Sequence, residues 1–228
     1  SAQRGTRVGS QVAHAAAEAA QAELARLAAD VLGWPEEQTR IAGEIISRQD
    51  TGETEQWAAL VQRIGAPVVG SASLNDEAHP AVTAFTAQVA EVSVDFETGQ
   101  VRLLRLTSAH DTGVIINPQG HQGQINGAAV QGMGYALMEE LLIEDGQVTT
   151  LSFADYKIPT TADLFELNTV LLESTSGLGP LAVKGIAENA STPAAAAIAN
   201  AVADACGVRM HALPLTAERV YRTLRDAR

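Results

Sequence analysis

Glu188 is a single carboxylate at the end of an apolar, glycine-containing stretch, Gly179-Pro180-Leu181-Ala182-Val183-Lys184-Gly185-Ile186-Ala187-Glu188. A carboxylate in such a stretch is expected to be poorly solvated. Desolvation disfavours the charged form and lifts the pKa toward the range of a useful base at neutral pH. A second reading stays open. Glu188 precedes a long alanine-rich run, and an acidic side chain at the start of a helix is favoured by the dipole there. In the first case it moves a proton in a reaction; in the second it only stabilises a helix.

Glycines and amides crowd a second stretch, Gly123-Gln124-Ile125-Asn126-Gly127 and Gln131-Gly132-Met133-Gly134, inside a segment of helical pattern. Glycine costs about 0.8–1.0 kcal/mol relative to alanine inside a helix. Gly123, Gly127, Gly132 and Gly134 therefore serve either close packing on another backbone or close approach of a bulky ligand. Gln122, Gln124 and Gln131 carry both donors and acceptors, which suit heterocycle edges or phosphate oxygens. Asp155-Tyr156-Lys157-Ile158-Pro159-Thr160 reads as a structural turn, because Pro159 keeps Ile158 extended.

Other chemistries have little support. The histidines at 14, 79, 110, 121 and 211 lack metal-ligand spacing. His110 beside Asp111 reads more readily as a local hydrogen bond than as an orienting pair. The lone Cys206 falls at a helix end, where the dipole works against a thiolate. It allows no disulfide within the chain and no iron–sulfur cluster. Neither a G-x-S-x-G elbow nor a Walker sequence occurs.

The elements that must position these residues follow from periodicity. Val12, Ala16, Ala20, Leu24, Leu27 and Val31 form a helical stripe over 8–32, stopped by Gly33 and Pro35. Residues 39–51 read as a hairpin, 53–64 as a helix and 66–80 as a loop. Alternation over 90–96, a turn at Glu97-Thr98-Gly99 and a return over 101–108 predict a second hairpin. Residues 111–118 read as a loop and 119–142 as a helix. Strands are expected at 148–153 and 164–173, and helices at 193–205 and 217–224. Strands and helices do not alternate regularly, so the fold class is α+β. The division expected is 1–80 and 81–228.

The 228 residues carry a net charge of −12, which disfavours nucleic-acid binding. No apolar run is long enough to cross a membrane and no basic amphipathic helix is present, so no membrane partner is expected. One cysteine and no recognisable signal peptide make a reducing cytoplasm the expected setting. The chain opens without Met and enters a helix almost at once, as a segment starting inside a domain would.

In order, several segments resemble the molybdenum-binding region of the molybdenum hydroxylases, the xanthine dehydrogenase and aldehyde oxidoreductase family. They are Val92 to Gly99, Asp111 to Pro118, Gly123 to Gly134, Asp155 to Thr160, Gly179 to Glu188 and Ala199 to Ala205. The ordered set, spread over 85–225, carries the resemblance better than any one piece. Gln3-Arg4-Gly5-Thr6-Arg7-Val8-Gly9 looks, more weakly, like the family's pterin-contacting loop before a helix.

The resemblance implies a role for each matching position. Glu188 falls on the catalytic glutamate, the base in oxidation of an aldehyde or N-heterocycle with water as oxygen donor. Gln124 falls on a glutamine that contacts molybdopterin, and Gln3, Arg4, Gly5 and Thr6 on the strip wrapped around the same cofactor. The pterin, possibly as a dinucleotide, holds the molybdenum, so no protein metal ligand is implied. The implied partners are the first half of the molybdenum domain, iron–sulfur and flavin (FAD) domains or subunits, and a small-molecule substrate. Alone, this segment would be inactive. In the family a glycine usually precedes the glutamate; here it is Ala187, and alanine in a left-handed conformation would cost about 1–2 kcal/mol. The rival readings are a non-catalytic assembly module of the same fold and an acidic α+β binding domain in which Glu188 is only a cap.

Overall fold

A run from Arg4 to Leu32 with no proline forms one long helix, α1. The structure, a computed structural model, describes residues 4–74 and 82–227. The chain divides into two compact units, Ser1–Pro80 with Gly179–Leu181, and Ala81–Leu178 with Ala182–Arg228.

In the first unit, Gly33 takes a left-handed conformation after α1 (φ 69°). Strands β1 (Thr39–Ala42), β2 (Ile45–Arg48) and β3 (Thr54–Gln56) then form a three-stranded antiparallel sheet. Helix α2 (Trp57–Ile64) follows. The helix expected over 53–64 thus loses its first turn to β3, whose residues pair with β2. Leu24, Ala28, Trp34, Ile46 and Leu60 make the core.

The second unit opens with β4 (Thr86–Val94) and β5 (Val101–Gly113), an antiparallel hairpin. Its turn is closed by Asp95, whose Oδ1 accepts the backbone N–H groups of Glu97 and Thr98. Helix α3 (Pro118–Leu137) follows, then a two-stranded hairpin of β6 (Ile143–Glu144) and β7 (Gln147–Val148). Strand β8 (Glu166–Glu173) returns parallel to β5, giving the sheet order β4-β5-β8. Three helices complete the unit: α4 (Ala187–Ser191), α5 (Ala194–Cys206) and α6 (Ala217–Asp226). The core gathers Leu103, Met133, Ala136, Ile198, Val202, Leu215, Val220 and Leu224. The class is α+β.

Three expectations are corrected. Strand β5 runs on to Gly113, because 105–113 find partners in β8. Helix α3 stops at Leu137, well short of 142. The strand expected at 148–153 is confined to the β6–β7 pair, and Leu151 and Phe153 lie exposed at 81% and 74%. Alternation there has no sheet face to serve.

Candidate functional site

Helix α3 is started by Pro118 at its first turn and by Asn117, whose Oδ1 accepts the N–H of Gly120 at 2.9 Å. Gly123, Gln124, Gly127, Ala128 and Gln131 then share one face by helical spacing. That face and Ala187, Glu188 and Ser191 of α4 line a cleft of about 380 Å³. The sequence-predicted base and the sequence-predicted cofactor glutamine therefore meet at one site.

Gly123, Gly127, Gly132 and Gly134 of α3 divide into two kinds. Among the described residues, a Cβ at Gly123 or Gly127 would meet nothing within 4 Å. A Cβ at Gly132 would lie 2.5 Å from Ala194 Cβ and 2.8 Å from Ser191 O, and one at Gly134 would strike the Glu139 carboxylate and lie 3.0 Å from Pro159 Cδ. The first pair leaves open floor in the cleft; the second pair lets α3 pack against its neighbours.

The chain reaches Glu188 by a tightly held path. Val183 bridges Gly113 and Leu178, and Val114 N–H donates to Ala182 O at 3.0 Å. Gly113 has φ 65°, and a Cβ there would sit 2.5 Å from Ala182 O, so only glycine fits. Ala182 carries a left-handed φ of 47°. Ala187 does not: it is the first residue of α4, and its replacement of the family's glycine carries no left-handed strain. The carbonyl of Glu188 accepts the hydroxyls of Ser191 and Thr192, each at 3.0 Å, and Pro193 ends the turn. The Glu188 side chain is exposed. The poor solvation expected from its apolar neighbours in sequence is not supplied by this chain: Leu181 is itself exposed, Ala182, Val183, Ile186 and Ala187 are only partly buried, and Glu188 lines the cleft.

Two buried polar groupings flank the site. Lys184, with a side chain only 2% exposed, places its ammonium 2.5 Å from Asp111 Oδ2 and 3.0 Å from Thr83 O. Asp111 Oδ1 also accepts the hydroxyl of Ser174 at 2.8 Å. The Lys184 contact, then that of Ser174, hold the Asp111 carboxyl below the usual carboxylate range. On the sheet, Gln88 Nε2 donates to Ala190 O and to Ser108 Oγ, both at 2.8 Å. Ser108 Oγ lies 2.6 Å from His110 Nε2, and Thr86 Oγ1 3.2 Å from His110 Nδ1. Burial pushes the His110 pKa down, so the ring is neutral at neutral pH.

Other sequence-predicted residues fall elsewhere. Gln3 lies outside the described residues. Arg4, Gly5 and Thr6 belong to α1 of the first unit, where a loop was expected; no residue there interrupts the helix, and Gly5 and Thr6 are exposed. Gln122 turns from the cleft toward the sheet: it donates to Asn126 Oδ1 at 2.7 Å, which also takes the Thr169 hydroxyl. Gln131 stays on the cleft and donates to Tyr135 at 2.7 Å. Cys206 ends α5, and burial pushes its thiol up. Among the described residues no group of three His, Cys, Asp or Glu is placed to hold a metal ion, and no helix is long and apolar enough to cross a membrane. Sequence reasoning missed Ser191 as a cleft residue. Its spacing of three from Glu188 would have shown it, had the short helix been recognised.

The family model of the molybdopterin cofactor-binding domain matches residues 1–165. The molybdenum-binding subunit PaoC of an aldehyde oxidoreductase from Escherichia coli K12 is 32% identical over 212 residues, 91% of this chain and 29% of that protein. The nicotine 6-hydroxylase large subunit from Paenarthrobacter nicotinovorans is 40% identical over 137 residues, 58% of this chain and 16% of that protein. Quinoline 2-oxidoreductase from Pseudomonas putida 86 superimposes with a TM-score of 0.80 at 28% identity, over 98% of this chain and 30% of that one. The chain thus spans less than a third of the length of these relatives.

Proposed function

The chain belongs to the molybdopterin cofactor-binding domain family, and we propose that it supplies one wall of the cofactor site of a molybdenum hydroxylase, with Glu188 as its base. The observation that carries this is the shared cleft of Gln124 and Glu188, floored by two glycines whose Cβ positions are open. These residues fit the cofactor. Gly123 and Gly127 let a large tricyclic group approach the backbone, which any side chain would hold off. The Gln124 amide can both donate to and accept from pterin edges. When bound, the cofactor supplies two-electron oxidation of an electron-poor C–H carbon, with water as the source of oxygen.

The chain's own part is to bind, orient and move a proton. Gln124 and Gln131 fix orientation along α3. Glu188, on the facing turn, takes a proton within hydrogen-bond reach of the reacting group. Its carboxylate is exposed in this chain, so the desolvation that suits it to the task comes from the rest of the enzyme. Arg4, Gly5 and Thr6, with Gln3, contribute to cofactor binding from the first unit, and residues 81–228 carry the base. The substrate is an aldehyde or an N-heterocycle, the classes named for the relatives above. The first half of the molybdenum domain and iron–sulfur and FAD-bearing partners complete the enzyme, and this segment alone turns nothing over. Ala187 is helical, so the alanine gives no ground for a degenerate assembly module.

The test is Glu188→Gln in the complete enzyme. Loss of oxidation by about 10²–10⁴-fold with molybdenum retained is the expected result. Near-normal turnover would sink the assignment.

A further inference from the structure

We propose that Gln88 and Lys184 are positioning residues that hold the turn bearing Glu188 between two buried anchors. The proposal rests on the reading of Glu188 as base. Its structural half can be measured without it.

Helix α4 has five residues, too short to be stable on its own. Its geometry must come from its flanks. Upstream stands Lys184, buried against Asp111 and Thr83 O. Asp111 lies on β5 and is itself held by Ser174, just past β8. The ion pair therefore ties the approach to Glu188 to the ends of two paired strands. The bridge from Val183 to Gly113 and the hydrogen bond from Val114 to Ala182 O strengthen the same tie.

Downstream stands Ala190, fully buried. Carbonyls in the last turn of a helix lack intrahelical partners. Gln88, from β4, meets that of Ala190 with its Nε2 at 2.8 Å. The direction of this amide is set by the Ala190 carbonyl, which can only accept. Ser108 Oγ accepts the other N–H of Gln88 and lies 2.6 Å from His110 Nε2. His110 Nδ1 in turn lies 3.2 Å from Thr86 Oγ1. Flipping the Gln88 amide would set its oxygen against Ala190 O. Held this way, Gln88 Oε1 is buried without a hydrogen-bond partner among the described residues. Such an atom is costly. Its retention fits a side chain kept for what its nitrogen reaches, the backbone of the Glu188 turn.

The experiment uses the complete enzyme with its cofactor and three variants, Gln88→Met, Lys184→Met and Glu188→Gln. Methionine keeps the approximate length and the apolar volume of both side chains while removing the donors. Hydrogen–deuterium exchange is followed in peptides spanning 186–192 and, as a reference, 195–205. Molybdenum content is measured on the same samples, and kcat and KM with benzaldehyde and quinoline as probes. We expect exchange over 186–192 to rise about tenfold in each methionine variant as this turn opens locally. The reference helix and molybdenum content should not change, and kcat should fall while KM holds. If one methionine variant fails to fold, the other decides. Unchanged exchange over 186–192 overturns the proposal. Raised exchange with normal kcat, in an enzyme that Glu188→Gln inactivates, overturns it too. Normal turnover by Glu188→Gln removes the base reading instead, and exchange alone then decides whether the turn is held as described.

Discussion

Gln124 on α3 and Glu188 on α4 line one cleft of about 380 Å³, although they are far apart in the sequence. The relationship depends on α3 approaching α4 closely, and Gly132 makes that approach possible, since a Cβ there would strike Ala194 and Ser191. Gly132 thus helps bring the two side chains together, and Gly123 and Gly127 keep the space beside them clear.

That division predicts opposite signs for one substitution. Gly127→Ala fills open space in a helix and should raise stability by about 0.5–1 kcal/mol. Gly132→Ala meets side chain and backbone and should lower it by about 1–3 kcal/mol. Denaturant unfolding of both variants checks the pair. Equal shifts would show that the two glycines do the same job.

The Asp111–Lys184 pair predicts an acid-sensitive contribution. The Asp111 carboxyl titrates lower in the folded protein than in the unfolded chain. The unfolded state therefore binds the proton more readily, and stability rises with pH across this window. The contribution is complete above the ordinary Asp value of about 3.9 and is lost as pH falls through the lower folded value. At pH 7, Asp111→Asn leaves the buried Lys184 ammonium without its counter-charge and should cost about 3 kcal/mol. The gap between variant and wild type should close as pH drops below about 4. A gap that stays constant down to pH 2 would contradict the pairing.

His110 predicts a second window. Its ring is 1% exposed, and burial holds its pKa below the ordinary value. The unfolded chain again takes the proton first, so stability is full above about pH 6.5 and declines as pH falls from there. His110→Gln should be less stable at pH 8 by about 1–3 kcal/mol, because Ser108 loses its buried imidazole partner. Its stability should also vary less between pH 5 and 7. Denaturation midpoints measured across that range test both statements.

Much of the frame is legible from pattern alone. The stripe from Val12 to Val31 and the stop at Gly33 give α1, and the alternation over 90–96 gives β4. Pattern failed where long-range pairing decides. Residues 111–118 read as a loop, yet β8 draws Asp111 to Gly113 into the sheet. Leu151 and Phe153 alternate like a strand but have no sheet to join. Helix α4 is too short for a periodic signal. At the site, residue types pointed to Glu188 and to the amides Gln122, Gln124 and Gln131, and the family resemblance singled out Gln124; neither showed which glycines open the cleft, since that depends on what lies opposite each. Gln88 was unreadable as a partner of this turn, because only the fold sets its amide against Ala190.

On the proposed function, the cleft between α3 and α4 faces the molybdenum of the complete enzyme. The most direct measurement is the position of the metal in crystals of the complete enzyme, located by its anomalous scattering. A single molybdenum is expected on the side of Gly123 and Gly127, with the Glu188 carboxylate close enough to exchange a proton at the metal site, directly or through one water. A molybdenum seated away from α3, with Glu188 pointing into solvent, would contradict it.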